Sequence, residues 1–347
     1  MSRPTRPQLP GFWANRPGLG LATGLAALAV IALVALASGA YPLGPRQLPG
    51  VIAALWRGEA AGPEGLVLLN IRLPRIVTAV LVGAVLAGAG SAYQMAFRNP
   101  LVSPDILGVS AGAGLGAVAG IFFGLPVWGI QALAFATGLA TVGMVMAVAA
   151  LAMDGARDTL ALVLTGMAVG ALAGAGIAIF KVLADPDNQL PAMTFWLLGS
   201  LAGVRNGDAV FLIPAVIVSL APLVLLRWRI GTLAMGEDEA RALGIDTSRL
   251  RLVVILAATL MTAAAVSAAG TIGWIGLMVP HMARLIAGPR FDRSLPLALI
   301  LGAALMLGID TMARSVATTE LPLGVLTAVI GAPVFLTLLA RGRQSWG

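Results

Sequence analysis

Few residues in this 347-residue chain have the types needed for covalent or metal chemistry. The segment Gly108–Gly112 matches G-x-S-x-G, a pattern that presents a serine nucleophile in hydrolases. That chemistry needs a strand before the serine and a histidine base, and the one histidine, His281, lies in an apolar run. One histidine and no cysteine cannot form the common zinc sites. The sequence therefore predicts no catalytic residue and no metal site.

Basic residues lie at the ends of long apolar segments. Arg72 and Arg75 precede a charge-free run at 76–97, and Arg314 follows an apolar segment four residues after Asp310. These arginines could pair with carboxylates of an acidic partner outside the membrane, or anchor helices to lipid phosphates. The spacing also allows an intrahelical pair between Asp310 and Arg314. The residues alone leave both roles open.

A further charged feature is the connecting segment 227–251. Its central part, 236–246, reads GEDEARALGID, with acids at the start and a glycine near the end. Acids stabilise the start of a helix, and glycine commonly ends one, so we predict a short helix here. This helix could be presented to a cytoplasmic partner, or the segment could be a solvated connector.

The elements that carry these residues are predicted from composition. The chain is 59% hydrophobic and 11% charged, whereas soluble domains carry about 25% charged residues. Its apolar runs are long rather than short and alternating, which predicts an all-α polytopic membrane protein and not a barrel. The net charge of +7 is interpreted as a topology signal, so no nucleic-acid partner is expected, and the chain contacts membrane lipid.

About ten transmembrane helices are predicted in a single membrane domain, 1–347. They lie within or near 17–45, 76–97, 106–153 (two helices, with a turn at 124–126), 159–180, 209–226, 252–283 (two helices), 295–313 and 322–340. Segment 181–208 carries charges at its start, and its apolar part, PAMTFWLLGSLAGV, is too short to cross, so we predict a partly buried surface helix there. Most arginines fall on the side that holds both termini, which places tail 1–17 and loop 227–251 in the cytoplasm.

A weak internal repeat accompanies this topology. Ala89-Gly90 lies ten residues before Pro100, and Ala269-Gly270 lies ten residues before Pro280. The two halves would begin on opposite faces of the membrane, so the repeat is predicted to be inverted. Repeats of this kind are typical of transport proteins.

Several motifs in order resemble the FecCD family of ABC importer permeases. They are RLPR (72–75), QMAFRNPLVSPDILGVSAGAGLG (94–116), GEDEARALGID (236–246), GWIGLMVPHMARL (273–285) and ELPLGVLTAVIGAPVF (320–335). The resemblance spans roughly 70–343. It implies a homodimer of ten-helix subunits in a bacterial inner membrane, working with two cytoplasmic ATPase subunits and a periplasmic binding protein. The substrate would be a ferric siderophore, haem, cobalamin or a related metal chelate. No cofactor is expected in this chain, because ATP and magnesium would be bound by the ATPase.

The resemblance also assigns roles to residues. Arg72, Arg75 and Arg314 would face glutamates of the binding protein. Asn99, Leu101 and Thr159 would form the cytoplasmic gate, although Leu160 is bulkier than the small polar residue expected after Thr159. ATPase coupling would involve Glu237, Glu239, Ala240, Arg241, Leu243 and Gly244.

An ion-coupled secondary transporter is the alternative function. Such carriers usually bury ionisable groups along their path, and here Asp310 is the main one within an apolar segment, with Lys181 at an edge. The chain also has no Walker motif, so ATP hydrolysis would require a separate subunit. The residues favour the importer permease and do not select among the chelates.

Overall fold

The computed structural model describes residues 17–39, 41, 44, 46–58, 62–152, 159–235, 237–317 and 319–342. These residues form α-helices joined by short connections, and no strand occurs among them. The helices are α1 (Pro17–Ala37), α2 (Leu48–Trp56), α3 (Gly62–Val67), α4 (Leu73–Ala96), α5 (Val109–Phe122), α6 (Val127–Ala152), α7 (Thr159–Leu183), α8 (Gln189–Leu198), α9 (Asn206–Leu225), α10 (Arg227–Thr232), α11 (Glu237–Ala242), α12 (Thr247–Ala269), α13 (Ile275–Ala287), α14 (Phe291–Ala313) and α15 (Leu323–Gly342). A π-helical turn, Leu68–Arg72, joins α3 to α4, and a 3-10 turn, Pro104–Leu107, precedes α5.

Within the described chain, seven helices are long and apolar enough to cross a membrane. They are Gly18–Ala37, Gly62–Ala96, Val127–Leu151, Leu160–Leu183, Gly207–Leu225, Thr247–Ala269 and Phe291–Ala313. Three shorter apolar helices accompany them: Val109–Phe122, Ile275–Ala287 and Leu323–Leu338. The prediction of an all-helical membrane protein is confirmed, and each predicted segment contains helix. Most of the predicted tail, residues 1–16, lies outside the described residues.

Two predicted boundaries differ from the structure for the same reason. Arg72 and Arg75 lie inside the continuous helical segment Gly62–Ala96, and Arg249 and Arg251 lie inside α12, not before it. The predicted boundaries assumed that a charged side chain marks the end of a crossing. A charge does not end a helix when its polar atoms find partners, as the pairs of Arg72 and Arg75 described below show.

The centre of the subunit consists of α4, α12 and α14. Of the spanning segments, Gly62–Ala96 and Thr247–Ala269 are 78% and 72% buried, whereas Leu160–Leu183 of α7 is only 22% buried. Helix α4 packs against α12, α13 and α14, and α1 packs against α14. The most enclosed helices are therefore those that carry the RLPR and QMAFRNPL motifs and their partners.

Glycine-to-glycine contacts bring α4 close to its neighbours. A Cβ atom on Gly90 would lie 1.8 Å from the carbonyl oxygen of Gly276 in α13. A Cβ on Gly83 would lie 2.2 Å from the carbonyl oxygen of Gly302 in α14. Only glycine permits these backbones to approach so closely, as small residues do at many membrane helix crossings.

The predicted surface helix in 181–208 is α8, and its end is tied to two long helices. The backbone nitrogen of Ser200 donates to the carbonyl of Ala269 at 2.9 Å, and that of Leu323 donates to Gly199 at 2.9 Å. These hydrogen bonds join the end of α12 and the start of α15 to the same turn. Helix α8 is therefore a fixed part of this end of the subunit.

Candidate functional site

The centre of one candidate site is the guanidinium group of Arg75. Its Nε donates to Oδ1 of Asp310 at 2.9 Å, and its Nη1 and Nη2 donate to Oε1 and Oε2 of Glu320 at 2.8 and 2.9 Å. Nη2 also lies 2.9 Å from Oδ1 of Asp310. One arginine of α4 thus binds a carboxylate of α14 and a carboxylate of the segment before α15. Such two-point arginine–carboxylate contacts are both strong and geometrically specific.

Arg72 and Arg314, the other two predicted docking arginines, bind main-chain carbonyls at and just after the end of α1. The Nη2 of Arg314 donates to the main-chain carbonyl of Ala35 at 2.6 Å, and the Nη2 of Arg72 donates to that of Tyr41 at 2.6 Å. The carbonyl oxygens that accept from these two side chains belong to Ala35, Leu36, Ser38 and Tyr41. Cations near a helix C-terminus are stabilised by its unpaired carbonyls and dipole. Arg314 also approaches Asp310, with its Nε 3.5 Å from Oδ2.

The outer cluster, which we define as Arg72, Arg75, Asp310, Arg314 and Glu320, is therefore mostly internal. Arg72 and Arg75 are only 4% and 8% exposed, and Asp310 is fully buried. The Glu320 side chain, in contrast, is 41% exposed. The structure does bring the three predicted docking arginines together, but each of them donates hydrogen bonds to groups of the same chain. Their role in docking stays a prediction.

Sequence reasoning missed two features of this cluster. It proposed the pair between Asp310 and Arg314, but the closer cation to Asp310 is Arg75 at 2.9 Å. It did not single out Glu320 as a charged partner, although this residue opens the ELPLG motif. Arg75 and its two acids are 235 and 245 residues apart in the chain, so local spacing carries no signal for their contact.

A second candidate site is the turn that follows α4 at the opposite end. The Asn99 side-chain oxygen accepts from the backbone nitrogen of Leu101 at 2.9 Å, which forms an Asx turn. Asn99 is exposed, and the Leu101 side chain is 54% exposed. The two predicted gate residues thus lie adjacent on an accessible surface at the end of α4. Their gating role stays a prediction.

This turn is held in place by Gln94, which is 4% exposed. Its Nε2 donates to the carbonyls of Val102 and Leu277, at 3.2 Å in both cases. Its Oε1 accepts from Nη2 of Arg284 at 2.6 Å. Gln94 therefore links the predicted gate turn to α13. Sequence reasoning did not single out this role, and the only local signal is a polar side chain near the end of an apolar run.

Helix α7 begins at Thr159, whose side chain lies outside the described residues. The following Leu160 is 61% exposed. Further along α7, Gly166 lies against the backbone of Ile106, and Gly170 against Gly108, in the segment after the gate turn. The structure therefore places α7 beside the predicted gate, and the role of Thr159 itself stays a prediction.

The predicted helix in the 227–251 loop is α11. Its last turn is closed by Gly244, which has a left-handed φ of 76° and donates to the carbonyl of Arg241. Leu243 is 62% exposed, whereas Ala240 is fully buried. Gly236 and the side chain of Glu237 lie outside the described residues. Ala240, which the resemblance assigns to ATPase coupling, therefore packs within its own subunit and is not presented on the surface, and its role in coupling stays a prediction.

The G-x-S-x-G segment does not have the geometry of a hydrolase. A 3-10 turn, not a strand, precedes the serine, and the Ser110 hydroxyl donates to the carboxylate of Asp105. Among the described residues, no group of three or more His, Asp or Glu side chains could hold a metal ion.

Comparison with known proteins decides the family. The profile of the FecCD transport family matches residues 27–341. The chain belongs to this family. It is 36% identical over 318 residues to the molybdate import system permease protein MolB of Haemophilus influenzae, covering 91% of this chain and 94% of that one. It is 44% identical over 276 residues to the cobalamin import system permease protein BtuC of Halobacterium salinarum, covering 79% and 73%.

Two further comparisons agree. The hemin transport system permease protein HmuU of Yersinia pestis is 36% identical over 323 residues, covering 91% of this chain and 95% of that one. A solved structure described as an inward-facing conformation of a metal-chelate type ABC transporter matches with a TM-score of 0.84 at 34% identity. It covers 92% of this chain and 98% of that chain. The FecCD chain is thus a multi-pass permease subunit of an ABC importer, and a separate ATPase subunit hydrolyses the ATP.

Proposed function

We propose that this chain imports a metal chelate, such as a ferric siderophore, haem or cobalamin, as a homodimer with both termini in the cytoplasm. The observation that carries the proposal is the match to a metal-chelate type transporter over nearly the whole of both chains. The relatives named for cobalamin and hemin support the same substrate class. The substrate would pass from a periplasmic binding protein, between two permease subunits, to the cytoplasm.

Ten crossings per subunit are part of this proposal. Helices α5 and α13 have 14 and 13 residues, or about 20 Å each, which is less than a hydrocarbon core of about 30 Å. Each is preceded by a segment that is not α-helical: Pro104–Leu107 before α5, in which Pro104 and Leu107 are buried, and 270–274 before α13, in which no residue is exposed. Irregular backbone is tolerated at membrane depth when protein surrounds it. This supports counting both helices, together with α15, as crossings.

Exposed apolar faces on α7 and α15 support the homodimer. Leu164, Met167 and Leu172 of α7 are 56–70% exposed, and Val329 and Leu336 of α15 are 64% and 65% exposed. A second subunit packed along these helices would cover part of this surface and enclose a path at the symmetry axis. Asn99 and Leu101 would then narrow that path on the cytoplasmic side.

The two ends of the subunit have different proposed partners. The outer cluster would meet acidic groups of the binding protein, and α11, with the exposed Leu243 that follows it, would fit a groove on the ATPase. The two sites lie at opposite ends of the bundle, because α11 precedes the start of α12, whereas the end of α12 is hydrogen-bonded to the turn that also binds the start of α15, next to Glu320. This arrangement lets one subunit receive substrate at one end and transmit the effect of ATP hydrolysis from the other.

Transport by the purified complex tests the proposal. The permease, its ATPase and its cognate periplasmic binding protein would be reconstituted in proteoliposomes and offered radiolabelled ferric siderophore, haem, cobalamin and molybdate. We expect uptake of one chelate that requires both ATP and the binding protein. Uptake of molybdate alone would favour the second candidate, an oxyanion importer, which the MolB relative suggests. Uptake that follows an ion gradient without ATP would contradict the proposal.

A further inference from the structure

The outer cluster shows a conflict between its composition and its exposure. It contains three guanidinium groups and two carboxylates, a net charge of +1, which suits an acidic partner. Yet Arg72 and Arg75 are less than 9% exposed, and the carboxylate that reaches the surface is that of Glu320, with a side chain 41% exposed. In this state the cluster presents a negative group to a negative partner. A docking role requires some rearrangement.

The contacts of Arg75 show which group can move. Asp310 is fully buried and lies within helix α14, where Arg75 and Arg314 both contact it. Glu320 lies in the connection before α15 and occupies only Nη1 and Nη2, the two donors on one edge of the Arg75 guanidinium. Removing Asp310 would leave buried cations uncompensated, which is costly. Rotating the part-exposed Glu320 into water costs far less.

We propose that Glu320 is the exchangeable partner of Arg75, and that an acidic group of the docking protein takes its place. This rests on the docking role proposed above for the outer cluster. When Glu320 leaves, the edge formed by Nη1 and Nη2 becomes a two-point site for a carboxylate, the geometry that arginine binds best. The net charge of the cluster rises from +1 to +2 at the same moment. The partner group is therefore an aspartate or glutamate side chain of a protein.

The exchange also releases a link between two helices. The Arg75–Glu320 contact joins α4, in the centre of the subunit, to the residue three positions before α15. The exposed face of α15 is one of the two helix faces that we propose line the substrate path between the two subunits. Docking would thus loosen the outer end of a path-lining helix while Asp310 keeps Arg75 in position.

Binding of the cognate periplasmic protein to the permease–ATPase complex, in nanodiscs at low and high salt, tests this proposal. Glu320→Gln removes the internal competitor, so we expect about fivefold tighter binding, the factor that corresponds to about 1 kcal/mol for a part-exposed pair. Asp187→Asn is the matched control, because this exposed residue of the α7–α8 connection carries the same charge at the same end of the subunit. Glu320→Asp keeps the charge but shortens the side chain, and should give an intermediate affinity.

The outcomes separate two failures. If wild-type complex binds the periplasmic protein but Glu320→Gln matches Asp187→Asn, or binds more weakly, Glu320 is a structural residue and the exchange is refuted. The same holds if Glu320→Asp binds more tightly than Glu320→Gln. If the wild-type complex does not bind the periplasmic protein at all, the proposed function fails instead.

Discussion

The close approach of α4 to α13 at Gly90 gives a prediction that can be worked from the structure. A Cβ on Gly90 would lie 1.8 Å from the carbonyl oxygen of Gly276, whereas ordinary contacts begin at 3.4 Å. Gly90→Ala must therefore move α4 and α13 apart by about 1.6 Å, or distort one of them. Overpacking of this kind costs about 1–3 kcal/mol, and the better helix propensity of alanine offsets less than about 1 kcal/mol.

Gly143 of α6 supplies the control, since a Cβ there would meet nothing within 4 Å. Gly143→Ala should be neutral or slightly stabilising. Thermal unfolding of both variants in the same detergent and at one heating rate is the assay, because membrane proteins often unfold irreversibly. At about 2–4 °C per kcal/mol, Gly90→Ala should unfold several degrees below the control.

The same substitution should also reduce uptake. A Cβ on Gly276 would lie 2.3 Å from Pro104, which lies between the gate turn and α5, so the α4–α13 crossing positions that turn. Equal unfolding temperatures for Gly90→Ala and Gly143→Ala would refute the reasoning, because they would show that the crossing has room for a methyl group.

Three further predictions concern the two ends of the subunit. Asp310→Asn leaves buried arginines uncompensated, so it should destabilise the subunit by about 3–5 kcal/mol. Glu320→Gln, at a part-exposed pair, should cost less than about 1 kcal/mol. Similar unfolding temperatures for the two variants would contradict this prediction. The chain has no cysteine, so a cross-link of Leu101→Cys between two copies has no competing thiol in this chain. We expect more cross-linked dimer in one nucleotide state than in another. Leu225→Cys, at an exposed position of α9, is the control. Absence of a Leu101 cross-link in every state would place the turn away from the axis. Leu243→Asp should abolish stimulated ATPase activity and uptake without lowering the unfolding temperature of the subunit. Ala240→Asp places a charge at a buried position, so it should lower the unfolding temperature. Normal activity of Leu243→Asp would show that α11 is only a connector.

The sequence by itself determined the class and the family of the protein. Long charge-free runs predict membrane helices because burying apolar side chains in lipid is a local property of each run. The turn at 124–126, the helix in 181–208 and the helix that Gly244 closes were predicted for similar local reasons, and α6, α8 and α11 confirm them. Ordered motifs gave the family, which the match over 27–341 confirms. The inverted repeat and the single domain stay predictions.

Only the tertiary structure decided which charged and polar side chains are paired with each other and which side chains are exposed on the surface. Arg75 meets Glu320 across 245 residues, and Gln94 meets Arg284 across 190, so no local pattern encodes either contact. The buried position of Ala240 depends likewise on neighbours that its own helix does not contain. A run of sequence fixes how apolar a segment is, but the partner of a charge is fixed by where other helices bring their side chains. That is why the arginines could be named from the sequence, while their enclosure by Asp310, Glu320 and the end of α1 required the fold.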